Sequence, residues 1–197
     1  MNETPNQLPD EALTPSANGL MPATLDDVSD VARVMEEASR FKRSQGDGVW
    51  GEKPITNEEV TSLLNSGNLY VYKIDGTIAA SVLLADSDER MWGVEEGSDG
   101  TAIYMHRLCV GNDFRGQQVG LRVTDLADEQ AKLTGKTKLR LDCPYDNPRL
   151  CEQYVQMGFS EVRRYDQPKS AVNRNPDIDV FKIALFEKAI ASSNPSL

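Results

Sequence analysis

The chain has 197 residues, enough for one ordinary domain with a real core. Its 31 acidic and 21 basic residues give a formal charge of -10, which disfavours nucleic acid and anionic membrane surfaces as general partners. Hydrophobic content of 39% and charged content of 26% describe a soluble globular protein, in which a local basic site for an anionic cofactor is still allowed.

No apolar run approaches the roughly 18 residues a membrane-spanning helix needs. The start, "MNETPNQLPDEALTPSANG", lacks the basic and apolar regions of a secretory signal. Cys109, Cys143 and Cys151 form no CxxC pair and read as reduced intracellular thiols. His106 is the lone histidine, so a histidine-rich metal site is excluded. A cytoplasmic protein without metal is expected.

Residues 1–20 carry Pro5, Pro9, Pro15 and Gly19 among few bulky apolar residues and read as a disordered tail. Thr24 with Asp27 resembles a capping box, and Leu25, Val28, Val31, Ala32, Met35 and Ala38 follow at helical spacing, which predicts a helix over about 25–40. After the loop "RSQGDGVWGEKPI", Thr56 and Glu59 form a second capping box before Val60, Leu63 and Leu64. "NLYVYKIDGTIAASVLLAD" gives two strands joined at Asp75-Gly76, a hairpin turn signal. "SDERMWGVEEGSDG" is an acidic loop.

"TAIYMHRLCV" is mostly apolar and therefore a central strand. Val119, Val123, Leu126, Ala127 and Ala131 mark the next helix, which Gly135 ends. "KLRLDC" is another strand. Asn147 can cap a helix with Pro148 in its first turn, and Leu150, Tyr154 and Met157 share one face of it. "FSEVRRYD" and "IDVFKIALF" are two closing strands. The order ααββ, βαβα, ββ predicts a mixed α/β domain with a mostly antiparallel sheet and one right-handed crossover over 102–144. The domain is placed at 21–187, with a C-terminal tail over 188–197.

The loop "GNDFRGQQVG" joins a strand to a helix start, where backbone N–H groups and the helix dipole favour an anion. Gly111 and Gly116 have P-loop spacing, but Gln117 and Gln118 replace the lysine and hydroxyl residue, so nucleotide hydrolysis is not expected. An ordinary strand-to-helix turn is the alternative.

Residues 102–162 resemble the GNAT superfamily of acyl-CoA-dependent N-acyltransferases. Of its signature [QR]-x-x-G-x-[GA], Arg115 and Gly120 match, while Gln118 stands at the middle glycine. "RLCV" before the loop, "LRLDC" after its helix, and "DNPRLCEQYVQMGF" complete the likeness. Gln118 is acceptable at the helix start if its φ is negative.

The resemblance implies a GNAT fold with a β-bulge in the central strand and flanking helices, and acetyl-CoA as acyl-donor co-substrate. The pantetheine arm would pair with the backbone of Leu108, Cys109 and Val110. The pyrophosphate would lie on the amides of Arg115, Gly116, Gln117, Gln118, Val119, Gly120 and Leu121, helped by the Arg115 side chain. Asn147 would reach the pantetheine. Direct acetyl transfer to an amine, through a tetrahedral intermediate, would use Tyr154 as general acid; a core aromatic is the bland reading of that residue. "HRLCV" resembles the second histidine of the serotonin N-acetyltransferase strand, with Tyr104 in the first histidine's place. His106 is thus a candidate base or a structural histidine, and strand parity puts it on the same sheet side as Leu108. Glu36 and carboxylates of the 86–99 loop are reserve bases. Nothing activates Cys109 as a nucleophile.

The acceptor site would lie near Glu36, Phe41, Trp50 and Trp92. The acidic 86–99 loop could attract a cationic amine or simply be solvated surface. The expected acceptor is a small-molecule amine, the alternatives being a protein or peptide amine, or a weakly active acyl-CoA-binding module. A homodimer is admitted.

Overall fold

The structure is a computed structural model that describes residues 19–48, 50–168 and 179–191. Most of the predicted N-terminal tail and the end of the C-terminal one lie outside the described residues.

Seven strands form one sheet: β1 (Met21–Pro22), β2 (Leu69–Ile74), β3 (Thr77–Ala85), β4 (Ala102–Val110), β5 (Lys138–Pro144), β6 (Ser160–Pro168) and β7 (Val180–Ala189). Their spatial order is β1-β2-β3-β4-β5-β7-β6, antiparallel except at β4 and β5. The helices are α1 (Val28–Ser44), α2 (Asn57–Asn65), the short α3 (Glu89–Trp92) and α4 (Val94–Gly97), α5 (Val119–Leu133) and α6 (Pro148–Gln156). The mixed α/β architecture is the expected one. The acidic segment, however, is two helical turns rather than a plain loop. The predicted C-terminal boundary at 187 falls short, because β7 continues to Ala189 and Ile190 is buried.

Local chemistry explains the element ends. The Thr24 N–H and hydroxyl both donate to Asp27 Oδ2, at 2.8 and 2.9 Å, which fixes the entry into α1. The Thr56 hydroxyl accepts the Glu59 N–H at 3.2 Å and starts α2. Asp75 and Gly76 both have positive φ, 49° and 78°, as a two-residue hairpin turn requires.

Alternation along β2 shows the two sheet faces. Leu69 and Val71 pack with Val31, Val34 and Met35 of α1 and Val60 of α2, whereas Tyr70 and Tyr72 pack into the cluster of α5. In that second cluster Val119, Val123 and Ala127 meet Ile103, Met105, Leu139 and Leu141. Burying each large side chain contributes roughly 1.5–3 kcal/mol. A third cluster joins Met91 and Trp92 of α3 to Tyr104, Phe181, Ile183 and Leu185.

The sheet opens in its middle. β4 and β5 pair only from Ala102–Lys138 to Tyr104–Arg140. Past that point β4 bulges: its register against β3 shifts between Ser81 and Leu83, and Arg107 has φ 49°. A non-glycine residue in this region carries strain of order 1–2 kcal/mol. The strand is thereby turned away from β5, leaving a V-shaped gap at the sheet centre.

Candidate active site

A cavity of about 600 Å³ occupies the gap. That size fits a small-molecule site. His106, Leu108, Asp142, Tyr154 and Trp50 line it, with Asp88 at one wall.

The bulge decides what β4 presents. Met105 and Leu108 join the same cluster, as does Val110, while Cys109 joins the α1 cluster and Tyr104 the third one. Side-chain parity therefore flips across Arg107. The expectation that His106 and Leu108 share a side, drawn from strict alternation, is overturned by the extra residue. Tyr104 does not reach the cavity as a second base either. It is buried, its hydroxyl donates to the Glu96 carbonyl at 2.5 Å, and Arg140 donates to it at 2.9 Å.

His106 sits at the apex of the gap. Tyr104 pairs with Arg140, so the next pair across the opened strands is His106 with Asp142, whose Oδ1 lies 3.4 Å from Nδ1. On the other ring nitrogen, Asp88 Oδ2 lies 3.6 Å from Nε2. Burial pulls the imidazole's pKa down, but the two carboxylates outweigh it and hold it above the ordinary value. Burial pushes Asp88 up, opposed by His106 and reinforced by Asp142. Asp88, His106 and Asp142 bring their ligand-type atoms within 4.8 Å of one another, a grouping that could hold a cation.

Asp88 reaches the cavity because its segment is pinned from below. Arg140, 3% exposed, donates to Glu187 at 2.8 Å, Asp99 at 3.2 Å and the Glu96 carbonyl at 2.6 Å. Its guanidinium also lies 4.6 Å from the Trp92 ring centre. Arg163 adds contacts to the Trp92 carbonyl and Glu96, and the Tyr165 hydroxyl donates to the Met91 carbonyl at 2.8 Å. Thus Glu96 and Asp99 of the acidic segment are structural partners, and Asp88 is its carboxylate in the cavity wall.

Tyr154, on α6, stacks edge-on with Phe159 and at a tilt with Phe186. Burial, with the neighbouring Cys143 and Asp142, pushes its phenol far above the ordinary value. Asn147 caps α6 by accepting the Leu150 N–H at 3.2 Å, and its Nδ2 lies 3.4 Å from Asp47. Cys143 and Cys151 are buried core residues, as expected, with their sulfurs 3.7 Å apart. Cys109 is buried and its thiol donates to the Arg107 carbonyl.

Of the four residues expected to face the acceptor, only Trp50 lines the cavity, with Lys42 Nζ 5.0 Å from its ring centre. Trp92 is 3% exposed and belongs to the third core cluster. Glu36 accepts the Ile55 N–H at 3.0 Å and the Arg40 Nε–H at 2.7 Å. Burial raises its pKa, but those contacts and Arg43 outweigh it and hold the carboxyl low. It is an ion-paired strut, not a base. The Phe41 ring carries the Arg115 guanidinium at 3.9 Å and lies outside the cavity lining.

The loop before α5 is built from backbone. Gly116 has φ 75° and Gln118, the N-cap of α5, has φ 58°. The negative φ that would make glutamine strain-free there is not adopted: Gln118 keeps the left-handed shape a glycine would take, at a cost of ~1–2 kcal/mol. The first helical bond runs from Arg122 N–H to the Gln118 carbonyl at 3.0 Å. The amides of Val119, Gly120 and Leu121 precede it and are the orphan donors of a helix start. A Cβ on Gly120 would meet only ordinary contacts, the nearest being Met157 at 3.7 Å. Arg115 points elsewhere than expected. Its guanidinium donates to the Glu37 carbonyl at 2.9 Å, and Glu37 Oε2 accepts the Asn112 N–H at 2.8 Å. The arginine braces α1 against the loop, so any anion there rests on amides. These donors and the opened edge of β4 fit an elongated thioester carrying a pyrophosphate.

A split sheet, an amide-lined helix start beside the split and a cavity at its apex define a class. Residues 31–159 match the Acetyltransferase (GNAT) family, and the chain belongs to it. It is accordingly an acyl-CoA-dependent N-acetyltransferase, of a family that uses acetyl-CoA as co-substrate. It is 31% identical over 144 residues, 70% of this chain and 79% of the other, to the uncharacterized N-acetyltransferase YesJ of Bacillus subtilis. A GNAT-family acetyltransferase structure from Streptococcus agalactiae shares the fold with a TM-score of 0.68 at 16% identity, covering 88% of this chain and 95% of that one. The structure of yncA from Salmonella typhimurium with its cofactor acetyl-CoA does so with a TM-score of 0.63 at 10% identity, covering 90% and 96%. No helix among the described residues is long and apolar enough to cross a membrane.

Proposed function

We propose that the enzyme moves an acetyl group from acetyl-CoA directly to a primary amine of a small molecule. The observation that carries this reading is that His106 and Tyr154, from β4 and α6, line one cavity of about 600 Å³ at the apex of the β4–β5 gap. A cavity of that volume suits a small acceptor beside the end of the pantetheine.

The helix-start amides of Val119, Gly120 and Leu121 bind the pyrophosphate, and the unpaired edge of β4 around Leu108, Cys109 and Val110 orients the arm. The bound thioester supplies an activated acyl carbon. A β4 N–H past the bulge stabilises the developing oxyanion, an effect worth roughly 3 kcal/mol per donor. His106 Nε2 takes a proton from the attacking nitrogen. The Tyr154 hydroxyl gives one to the leaving sulfur. A raised phenol pKa keeps that proton in place at neutral pH but makes it a weaker acid; a sulfur buried beside the same apolar rings is also harder to leave charged, which offsets this.

Calorimetry with CoA, followed by thiol release across a panel of small amines and short peptides, tests the reading. Tight CoA binding with turnover of small amines is expected. Turnover of peptides alone would replace the acceptor class, and CoA binding without any thiol release would make the chain a binding module.

A further inference from the structure

Asp88, His106 and Asp142 come from the segment after β3, from β4 and from β5, and meet only in the folded chain. The two carboxylates lie on opposite ring nitrogens of the imidazole, Oδ2 of Asp88 at Nε2 and Oδ1 of Asp142 at Nδ1. With both carboxylates ionised, the trio carries a charge of about -2 when the ring is neutral and about -1 when it is protonated.

Asp88 adds an independent observation. Its Oδ1 accepts the Met91 N–H at 3.2 Å, while its buried Oδ2 accepts no hydrogen bond and faces His106 Nε2 at 3.6 Å. The side chain is only 9% exposed and lines the cavity. A buried carboxylate oxygen with no hydrogen bond and only a 3.6 Å approach from His106 Nε2 has room for a further donor from the cavity. The net negative charge of the trio favours a cationic donor over a neutral one and disfavours an anion. A divalent ion needs one ligand atom from each residue to converge, and these lie within 4.8 Å of one another, so it is the competing occupant. A primary ammonium has three N–H groups and needs no such convergence.

We propose that Asp88 is the anchor of the acceptor, which enters this site as a primary ammonium, with His106 Nε2 receiving its proton and Asp142 positioning the ring through Nδ1. This rests on the acetyl-transfer reading. Overall the ammonium loses two protons as the C–N bond forms and the C–S bond breaks. One passes to His106 and on to solvent; the other replaces the proton Tyr154 gives to the leaving sulfur. Capture as the cation keeps the acceptor in its abundant form at neutral pH, and the two carboxylates stabilise the imidazolium that results.

The test exploits the single histidine, whose imidazole NMR signals need no assignment. The charged groups acting on it are Asp142 of β5, Asp88 beside α3, and Arg90 of α3. Methylammonium and benzylammonium should move the His106 signals and lower its titration midpoint by about one pH unit, because a bound cation disfavours the imidazolium. Benzyl alcohol should do neither. Asp88→Asn keeps the α3 cap and should weaken the ammonium response at least tenfold, with CoA affinity within twofold. Asp142→Asn should retain ammonium binding but lower the midpoint without ligand. The proposal is overturned if neither ammonium moves the signals, if Asp88→Asn responds like the parent, or if Zn2+ binds stoichiometrically at these residues and excludes the ammonium. Loss of CoA binding with the ammonium response intact would instead remove the transferase reading and leave this site standing.

Discussion

The two halves of the proposed active site are made in different ways. The proposed donor half, from Val119 to Leu121 and along the end of β4, is built from backbone groups of neighbouring stretches. The acceptor half is built from side chains of segments far apart in sequence, with Asp88, His106 and Asp142 meeting across an opened sheet. A backbone site tolerates side-chain change as long as φ and ψ are kept, and Gln118 at φ 58° is an example. A side-chain site depends on every strut that places its members, and Arg140 with Trp92 is the chief strut.

The largest expected effect tests that dependence. Trp92→Ala should cost about 3–5 kcal/mol by emptying a core position beneath Asp88. Thermal unfolding with and without CoA measures it. If the halves are independent, CoA affinity of the folded fraction stays within twofold while amine turnover falls. A matched loss of CoA affinity would break the contrast.

Next in size are the two proton carriers. Tyr154→Phe should lower kcat about 100-fold and spare CoA binding. Unchanged turnover would leave Tyr154 as a core aromatic. His106→Gln should lower kcat/KM for the amine by about 10- to 100-fold and flatten the acidic limb of its pH profile. In the parent enzyme that limb should lie above pH ~6.5, because the carboxylates hold the imidazolium and the base works only once deprotonated. The rate therefore climbs with pH through the raised value, and a limb at or below ~6.5 would argue for another base.

A smaller effect concerns the scaffold common to both halves. Burial pushes the Asp27 carboxyl up, but Lys73 and Thr24 outweigh it and keep its pKa low. Its contribution is present above the unfolded value near ~3.9 and is lost as pH falls through the folded one. Asp27→Asn should cost about 1–2 kcal/mol at neutral pH and make the stability curve below pH ~4 shallower. Chemical denaturation across that range is the check. The smallest effect belongs to the cradle. Gln118→Gly relieves ~1–2 kcal/mol of left-handed strain but loosens the unfolded chain, for a net gain below ~1 kcal/mol. CoA affinity should hold or rise slightly, and a fall would show that the glutamine side chain itself touches the cofactor.

Element by element, the parts written locally were legible. Thr24 with Asp27, Asp75-Gly76 and Asn147-Pro148 each carry their chemistry within four residues, and each stands where expected. The glycine-bearing loop before α5 belongs with them. Thr56 caps α2 as expected, but the Glu59 carboxylate meets Arg107 of β4 at 3.1 Å. Trp92, Glu36 and Phe41 misled because an aromatic or a carboxylate near a site has the same letter whether it faces substrate, core or an arginine. Asp142 carried no signal at all: "LRLDC" reads as a buried strand, and its aspartate matters only through a parallel register.

The sequence by itself determined the order of helices and strands, the hydrophobic faces, the caps and the helix-start amides, because these follow from contacts a few residues apart. Tertiary structure alone decided that Arg107 bulges β4, that parity flips there, that the sheet parts after Tyr104, and that Asp88 and Asp142 flank one imidazole. Those outcomes depend on strand register and on distant partners such as Arg140, whose competing energies no short stretch of residues contains.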